Sequence, residues 1–573
     1  MKLISSLALC YCLAGCLVYI DADSGPSSQP AALEASQPFD VIIQGGMVYD
    51  GSGAPGVVAD VAIIDDRIVE IGQLTASGAD LVIDASGHAV SPGFINVLSW
   101  APEALLVDGR SMSDLKQGVT LEVFGEGWSY GPLNETMQAQ TEAGQGDFKY
   151  EVNWATFGEF LAELERRGVS TNIASFVGAT TVRVHELGYE NRAPTDEELA
   201  RMQALVRDAM EEGALGVGAS LIYAPAFFAE TDELVALVSA AGEYGGGYIT
   251  HMRSEGARFL EGIEETIDIA RRAGTWGQIY HFKPGGEANW EKHGAGIALM
   301  EAARAEGLDI TANMYTYEAG STGLNAAMPP WVQEGGIGAW IERLRDPEIR
   351  ARLVREMAHP GDGWENLYND AGGPENVLLV GFRDEALKPL TGKTVAEVAS
   401  MRGTSPEEVM MDLVIEDGSR VQAVYFLMSE DNIRKNVAWP FMMFGSDGSS
   451  LAAEGPALLS QPHPRTYGNF ARLLGKYVRE EKVIPLEEAI YRMTGLSAAQ
   501  LRIENRGCLA VGCYADVAVF DPNTIEDRAT YQDPHQYAQG MRDVLVNGIP
   551  VLRDGDHTGA YPGRVVHGPG KTD

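Results

Sequence analysis

Between Gly93 and Gly448 the chain repeats one pattern eight times. A short strand-like segment recurs, and most copies are followed by an amphipathic helical stretch. The segments read GFINVLS, VTLEVFGEG, TNIASFVG, ALGVGASLIY, GYITHMR, GQIYHFK, DITANMY and FMMFGSDG. Strands that alternate with helices pair in parallel, and eight such units close into a (β/α)8 barrel. The expected fold class is therefore α/β with a TIM-type barrel. One helix is punctuated clearly, with Thr195 as N-cap, an acidic first turn and Gly213 as terminator. Residues 326–437, between the seventh and eighth strands, are too long for a loop and predict a helical insertion or lid.

The two ends of the chain read differently. FDVIIQGGMVYDGSG, VADVAIIDDRIVEIG and LVIDASGHAVSPG alternate apolar and polar residues between Gly and Asp turns. YADVAVFDP and MRDVLVNGIPVLRDG repeat this near the other end, with hairpin turns at Asn547-Gly548 and Asp554-Gly555. Residues 39–92 and 500–565 are expected to complete one discontinuous β-sandwich, with the barrel of residues 93–499 inserted between them.

With 573 residues, 45% hydrophobic and 22% charged, the composition is that of a globular protein of two or three domains. It excludes wholesale disorder, collagen and coiled coil. A net charge of −38 argues against nucleic-acid partners and against docking on anionic lipid heads. Lys2, an apolar run from Leu3 to Leu13 and then Leu13-Ala14-Gly15-Cys16 resemble a bacterial lipobox, with Cys16 as the lipidated residue. An ordinary cleaved secretory signal is the alternative. Residues 1–16 thus predict a lipoprotein of the bacterial periplasm, touching the membrane only through its lipid anchor, or else a secreted protein. Residues 17–38, rich in Pro, Ser and Ala, read as a flexible tether. Cys508 and Cys513, five residues apart, can pair in an oxidising compartment.

In a barrel of this kind, chemistry sits at the C-terminal strand ends. His251 ends one strand and His281 the next, thirty residues on, so both face the same mouth and suit a divalent cation. A single strand-end histidine is more often a satisfied polar residue. Glu126, flanked by Gly125 and Gly127 at the end of the second strand, reads either as a third ligand or as a turn glutamate. Asp447, at the end of the last strand, reads either as a proton carrier beside a metal or as a turn or cap residue.

Taken together, several pieces resemble the N-acyl-D-amino-acid deacylase (D-aminoacylase) family of the amidohydrolase superfamily. They are VSPGFIN, QGVTLEVFGEG, LIYAPAFFAET, YITHMRSEG, YHFKPGG, YTYEAGSTGLNAAMPPW, FGSDGSS, HPRTYGNFARLLGKYVREE, ADVAVFDP and DPHQYAQGMRDVLVNG, in the family's order over roughly residues 40–565. The resemblance implies the barrel and the discontinuous sandwich, with His251 and His281 as metal ligands. Two departures stand out. The family normally reads PGFID-x-H-x-H after the first strand, whereas this chain has Asn96, Leu98 and Trp100 at the Asp and the two His positions. The family commonly has a Cys ligand after the second strand, and Glu126 lies nearest that position. Its tightly held metal uses the strand-two residue and the two later histidines, and its weaker second metal uses the HxH pair. The resemblance therefore implies one Zn2+ per chain, held by Glu126, His251 and His281. Asp447 is the implied general base and then acid. Tyr223, Lys283, Tyr315, Ser321 and Arg465 are the implied substrate determinants. Arg253 faces the mouth without an assigned role.

The expected function is zinc-dependent hydrolysis of the amide bond of N-acyl-D-amino acids, releasing a carboxylate and a free D-amino acid. The expected partner is a small N-acyl amino acid or a short peptide. No residue on its own reports stereochemistry. A D-peptidase, another N-acyl or cyclic amide hydrolase, and a non-catalytic binding lipoprotein that has lost HxH are the competing readings.

Overall fold

Eight parallel strands form the barrel of this computed structural model, which describes residues 39–74 and 79–571. In order they are Phe94–Asn96, Val119–Phe124, Asn172–Ser175 (continued by Val177–Gly178), Gly216–Ser220, Gly247–His251, Gly277–Ile279, Ile310–Met314 and Met442–Phe444. Each pairs in parallel with the next. Every residue in these strands is buried. This is why they read as short apolar runs rather than alternating ones. The leader pattern, Cys16 and the tether lie outside the described residues.

The first and eighth strands close the barrel just past their ends. Ser99 and Gly448 form a parallel bridge. Asn96 Oδ1 accepts from the Ser446 backbone N–H at 2.9 Å, and its Nδ2 donates to Ser446 Oγ at 2.8 Å and to Asp114 at 2.9 Å. The Asp447 N–H donates to the Leu98 carbonyl, and the Trp100 N–H to that of Gly448, both at 2.9 Å. Outside the barrel, the helix Asp196–Glu211 begins in a capping box between Thr195 and Glu198, and Gly213 follows it at φ 110°.

The two chain ends meet in one nine-stranded sheet, the sandwich of this fold. Its N-terminal and C-terminal parts join where Ala89–Pro92 pairs antiparallel with Val517–Phe520. Asn547 and Gly548, at φ 49° and 80°, turn Met541–Val546 back into Ile549–Arg553. Cys508 and Cys513 form a disulfide within this region.

The insertion between the seventh and eighth strands is not wholly helical, as its sequence suggested. It carries a three-stranded antiparallel sheet, ordered Ala319–Gly323, Gln422–Phe426 and Val377–Gly381, together with helices. AGSTG has one β-branched residue, Thr322, and no aromatic one, too little to mark a strand. It becomes one through pairing with a segment about a hundred residues away, which no local pattern reports.

The insertion docks on the barrel through buried acids. Glu365 Oε2 accepts from the Glu255 backbone N–H at 2.5 Å, and Glu365 is itself buried. Burial and the Glu255 charge push the Glu365 carboxyl up to about 8. Burial pushes Asp370 up to about 7 against the pull of Lys292. Both acids keep protons in the folded state that they shed, unfolded, near pH 4. Their stabilisation is complete at acid pH and is lost as pH rises through about 7 to 8. Glu365→Gln keeps the acceptor but removes one titration. The fall in Tm between about pH 5 and 8.5 is expected to be shallower in this variant than in the wild type. Parallel Tm–pH curves from calorimetry would contradict this account of the docking.

Candidate active site

The backbone at the barrel mouth is shaped to present three side chains to one point. Glu126 follows the second strand between two glycines at φ 103° and 76°. A Cβ at Gly125 would lie 2.3 Å from the Phe176 carbonyl, and one at Gly127 2.7 Å from Ser220 Oγ. Only glycine allows the turn to pass so close to its neighbours. His281 and Asp447 carry left-handed backbones at φ 31° and 49°. Such strain in non-glycine residues persists only where the surroundings impose it. At His281, Asn313 Oδ1 holds the backbone N–H at 2.9 Å, and at Asp447 the Leu98 carbonyl does so at 2.9 Å.

The result is one cluster. Donor atoms of Glu126, His251 and His281 all lie within 4.8 Å of one another, and all three residues are buried. Glu126 Oε1 is 2.9 Å from His281 Nε2 and 3.3 Å from His251 Nδ1. Glu255 backs both imidazoles, at 2.9 Å from His281 Nδ1 and 3.5 Å from His251 Nε2. Donation from His281 Nδ1 to Glu255 would leave the Nε2 lone pair to an ion that displaced the proton between Nε2 and Glu126. A carboxylate behind a histidine fixes ligand tautomers in this way. One carboxylate oxygen and two imidazole nitrogens, with room beside them, fit a zinc ion with an open position.

The charges are balanced without solvent. Burial raises the Glu126 carboxyl, but the two histidines outweigh it and hold the group well below the usual carboxylate range. Burial and Lys283 lower the His281 imidazole, yet Glu255 and Glu126 bring it up to about 9. Burial opposes ionisation of Glu255, while Lys283 and the two histidines hold it at about 2. Burial lifts Asp447 above its ordinary value, Arg465 opposes this, and the Glu126 charge adds to it.

The cluster opens into a cavity of about 620 Å3, within the range of small-molecule sites. The site residues expected from the sequence all line it: Asp447, Tyr223, Lys283, Tyr315, Ser321 and Arg465, besides Glu126, His251 and His281. They divide into groups. Arg465 is 3% exposed, lies 4.4 Å above the Tyr315 ring, and has Nη1 2.7 Å from Asp447 Oδ2. That approach lacks hydrogen-bond geometry, so Arg465 Nε and Nη1 both remain without a hydrogen-bond partner. Tyr223 packs edge-on against His251 at 5.4 Å. Burial raises its phenol above the ordinary value, so it stays a donor. Lys283 Nζ lies 2.6 Å from Glu255, so in this structure it braces the carboxylate behind the ligands. The Ser321 hydroxyl is spent on the Ala423 carbonyl at 3.1 Å. Arg253 is spent on Glu265 at 2.9 Å and on the carbonyls of Phe227 and Ala229.

Sequence reasoning missed Glu255 and gave Trp100 no positive role. Glu255 sits four residues after His251 in HMRSEG, and only the structure shows that it is buried. The Trp100 indole N–H donates to Glu126 Oε2 at 2.9 Å and to Asp447 Oδ1 at 3.1 Å.

One carboxylate and two imidazoles, gathered from the second, fifth and sixth strand ends at one barrel mouth, form a site of the kind that metal-dependent hydrolases use. The amidohydrolase family model matches residues 123–552. D-aminoacylase of Alcaligenes xylosoxydans xylosoxydans is 34% identical over 535 residues, covering 93% of this chain and 98% of the relative. A solved D-aminoacylase structure, concerned with one-metal activation and second-metal attenuation at its binuclear centre, superposes with a TM-score of 0.77 at 33% identity. It matches 92% of this chain and all of that one. N-acyl-D-glutamate deacylase from Bordetella bronchiseptica, solved with zinc and a phosphonate mimic of the tetrahedral intermediate, superposes at 0.75 with 28% identity. That match covers 92% of this chain and all of the Bordetella enzyme. The chain belongs to the amidohydrolase family, in its D-aminoacylase branch.

Loss of a carboxylate behind ligand histidines weakens metal binding by about 10- to 100-fold. Glu255→Gln is expected to lower zinc affinity by that factor, read by competition with a chromophoric chelator, with the circular dichroism spectrum unchanged. Wild-type affinity would remove Glu255 from the metal's support.

Proposed function

We propose that the protein hydrolyses the amide bond of N-acyl-D-amino acids, releasing a carboxylate and a free D-amino acid. The observation that carries this reading is Arg465. It is a buried guanidinium with unspent donors, in contact with Asp447 and in the same cavity as the Glu126–His251–His281 cluster. A buried arginine of this kind suits a carboxylate. An amino-acid carboxylate on Arg465 brings the adjacent amide to Asp447.

Zinc bound in the cluster supplies a Lewis acid and lowers the pKa of a water to about 7. Asp447 takes the proton of the attacking water and returns it to the departing amine. Its burial keeps it more basic than a solvated aspartate. The Tyr223 phenol donates to the amide oxygen as negative charge develops there. Tyr315 presents its face to Arg465 and steers the guanidinium. Lys283 works through Glu255, by holding the two histidines in place. The cavity is also lined by Trp128, Tyr130, Tyr189 and Trp340, which suit an acyl chain or an apolar side chain. The names of the relatives support D-stereochemistry. The leader pattern and the Cys508–Cys513 disulfide support a periplasmic lipoprotein anchored at Cys16.

Asp447→Asn is expected to retain zinc while kcat on an N-acyl-D-amino acid falls by about 10²- to 10⁴-fold. Arg465→Lys keeps the charge but loses the fork, and is expected to raise KM by about 10- to 100-fold. An Asp447→Asn enzyme with near wild-type turnover and full zinc would contradict the proton-transfer assignment. Turnover confined to N-acyl-L-amino acids would contradict the substrate class.

A further inference from the structure

Two acidic side chains, Glu126 after the second strand and Asp447 after the eighth, face one another across the end of the first strand, and one donor lies between them. The Trp100 indole N–H is 2.9 Å from Glu126 Oε2 and 3.1 Å from Asp447 Oδ1. Glu126 turns its other oxygen, Oε1, to the two histidines. Asp447 turns its other oxygen, Oδ2, to Arg465. Each carboxylate is thus held at one end by the indole and faces a working partner at the other.

The turn that carries Trp100 has no side chain free to bind a cation. Asn96 spends its amide on Ser446 and Asp114. Ser99 Oγ donates to Glu122 at 2.8 Å. Val97 and Leu98 are apolar and fully buried. An indole N–H donates only and carries no lone pair for a metal. It lies between Glu126 Oε2 and Asp447 Oδ1 and occupies both of those oxygens. A second divalent ion therefore does not fit the residues beside Glu126 and Asp447.

We propose that Trp100 stands in for a second metal ion. Its indole N–H bridges the metal-ligand carboxylate and the proton-carrying carboxylate, excludes a second cation, and aims Asp447 at the reacting bond. Trp100 is thus a positioning residue for a one-metal enzyme. The bridge is tied to the barrel seam, since the Trp100 backbone N–H is bonded to the Gly448 carbonyl at 2.9 Å, one residue beyond Asp447. The proposal rests on the deacylase reading for the task it gives Asp447. Its claim about metal does not depend on the substrate.

The test counts zinc by isothermal titration and elemental analysis, then measures kcat and KM on an N-acyl-D-amino acid. Wild type is expected to stop at one zinc per chain in excess metal. The double variant Leu98→His/Trp100→His is expected to take a second. Trp100→Phe keeps the ring and loses the N–H. It is expected to hold one zinc, with KM within about twofold of wild type and kcat lower by about 10- to 100-fold. A lesion of packing alone would instead lower the yield of folded, zinc-loaded protein without separating kcat from KM. A second zinc in wild type, a double variant limited to one, or Trp100→Phe with unchanged kcat overturns the proposal. If no N-acyl-D-amino acid is turned over, the deacylase reading fails, and the zinc counts still decide whether the indole excludes a second ion.

Discussion

The closure of the barrel between its first and eighth strands is the constraint on which the site depends. Four backbone and side-chain links across that seam bring Leu98, Trp100 and Asp447 to one place. They also impose the left-handed backbone of Asp447, which a free loop would relax. The three clustered residues come from elsewhere in the barrel, Glu126 after the second strand and the histidines at the fifth and sixth. The seam sets where Asp447 stands relative to them. A strand that frayed here would leave the metal cluster intact and displace the residue that works beside it.

Buried charge is tolerated at this mouth because it is paired. Glu126, His281, Glu255 and Lys283 form one alternating run, Asp447 and Arg465 form a second pair beside it, and each group has a partner of the other sign at hydrogen-bonding or ion-pair distance. Removing any one member leaves its neighbours buried and uncompensated, which costs several kcal/mol, by general experience of about 3 to 5. Function is therefore entangled with local stability here. The insertion adds to this arrangement, since Glu365 holds the backbone of Glu255 directly behind the ligands.

The barrel was legible because its strands are buried on both sides and read as apolar runs separated by helices. That Glu126, His251 and His281 share one mouth was legible because strand ends and glycine turns mark it. Glu255 was not, because it lies in a loop and nothing local distinguishes a buried carboxylate from a solvated one. The sheet of the insertion was hidden for a related reason: AGSTG becomes a strand only through a distant partner. Trp100 shows a third limit. Sequence comparison could say which imidazoles were missing, but only the fold shows that the replacing indole points its N–H between two carboxylates.

The central claim is a single metal on one carboxylate and two imidazoles, with an organic donor where a second ion would sit. X-ray absorption at the zinc edge, on zinc-loaded protein, tests it directly. The account predicts nitrogen and oxygen donors at about 2.0–2.2 Å with imidazole scattering from two histidines, and no sulfur shell. It also predicts no metal–metal distance at about 3.5–4 Å. A sulfur ligand or a zinc–zinc vector would contradict it.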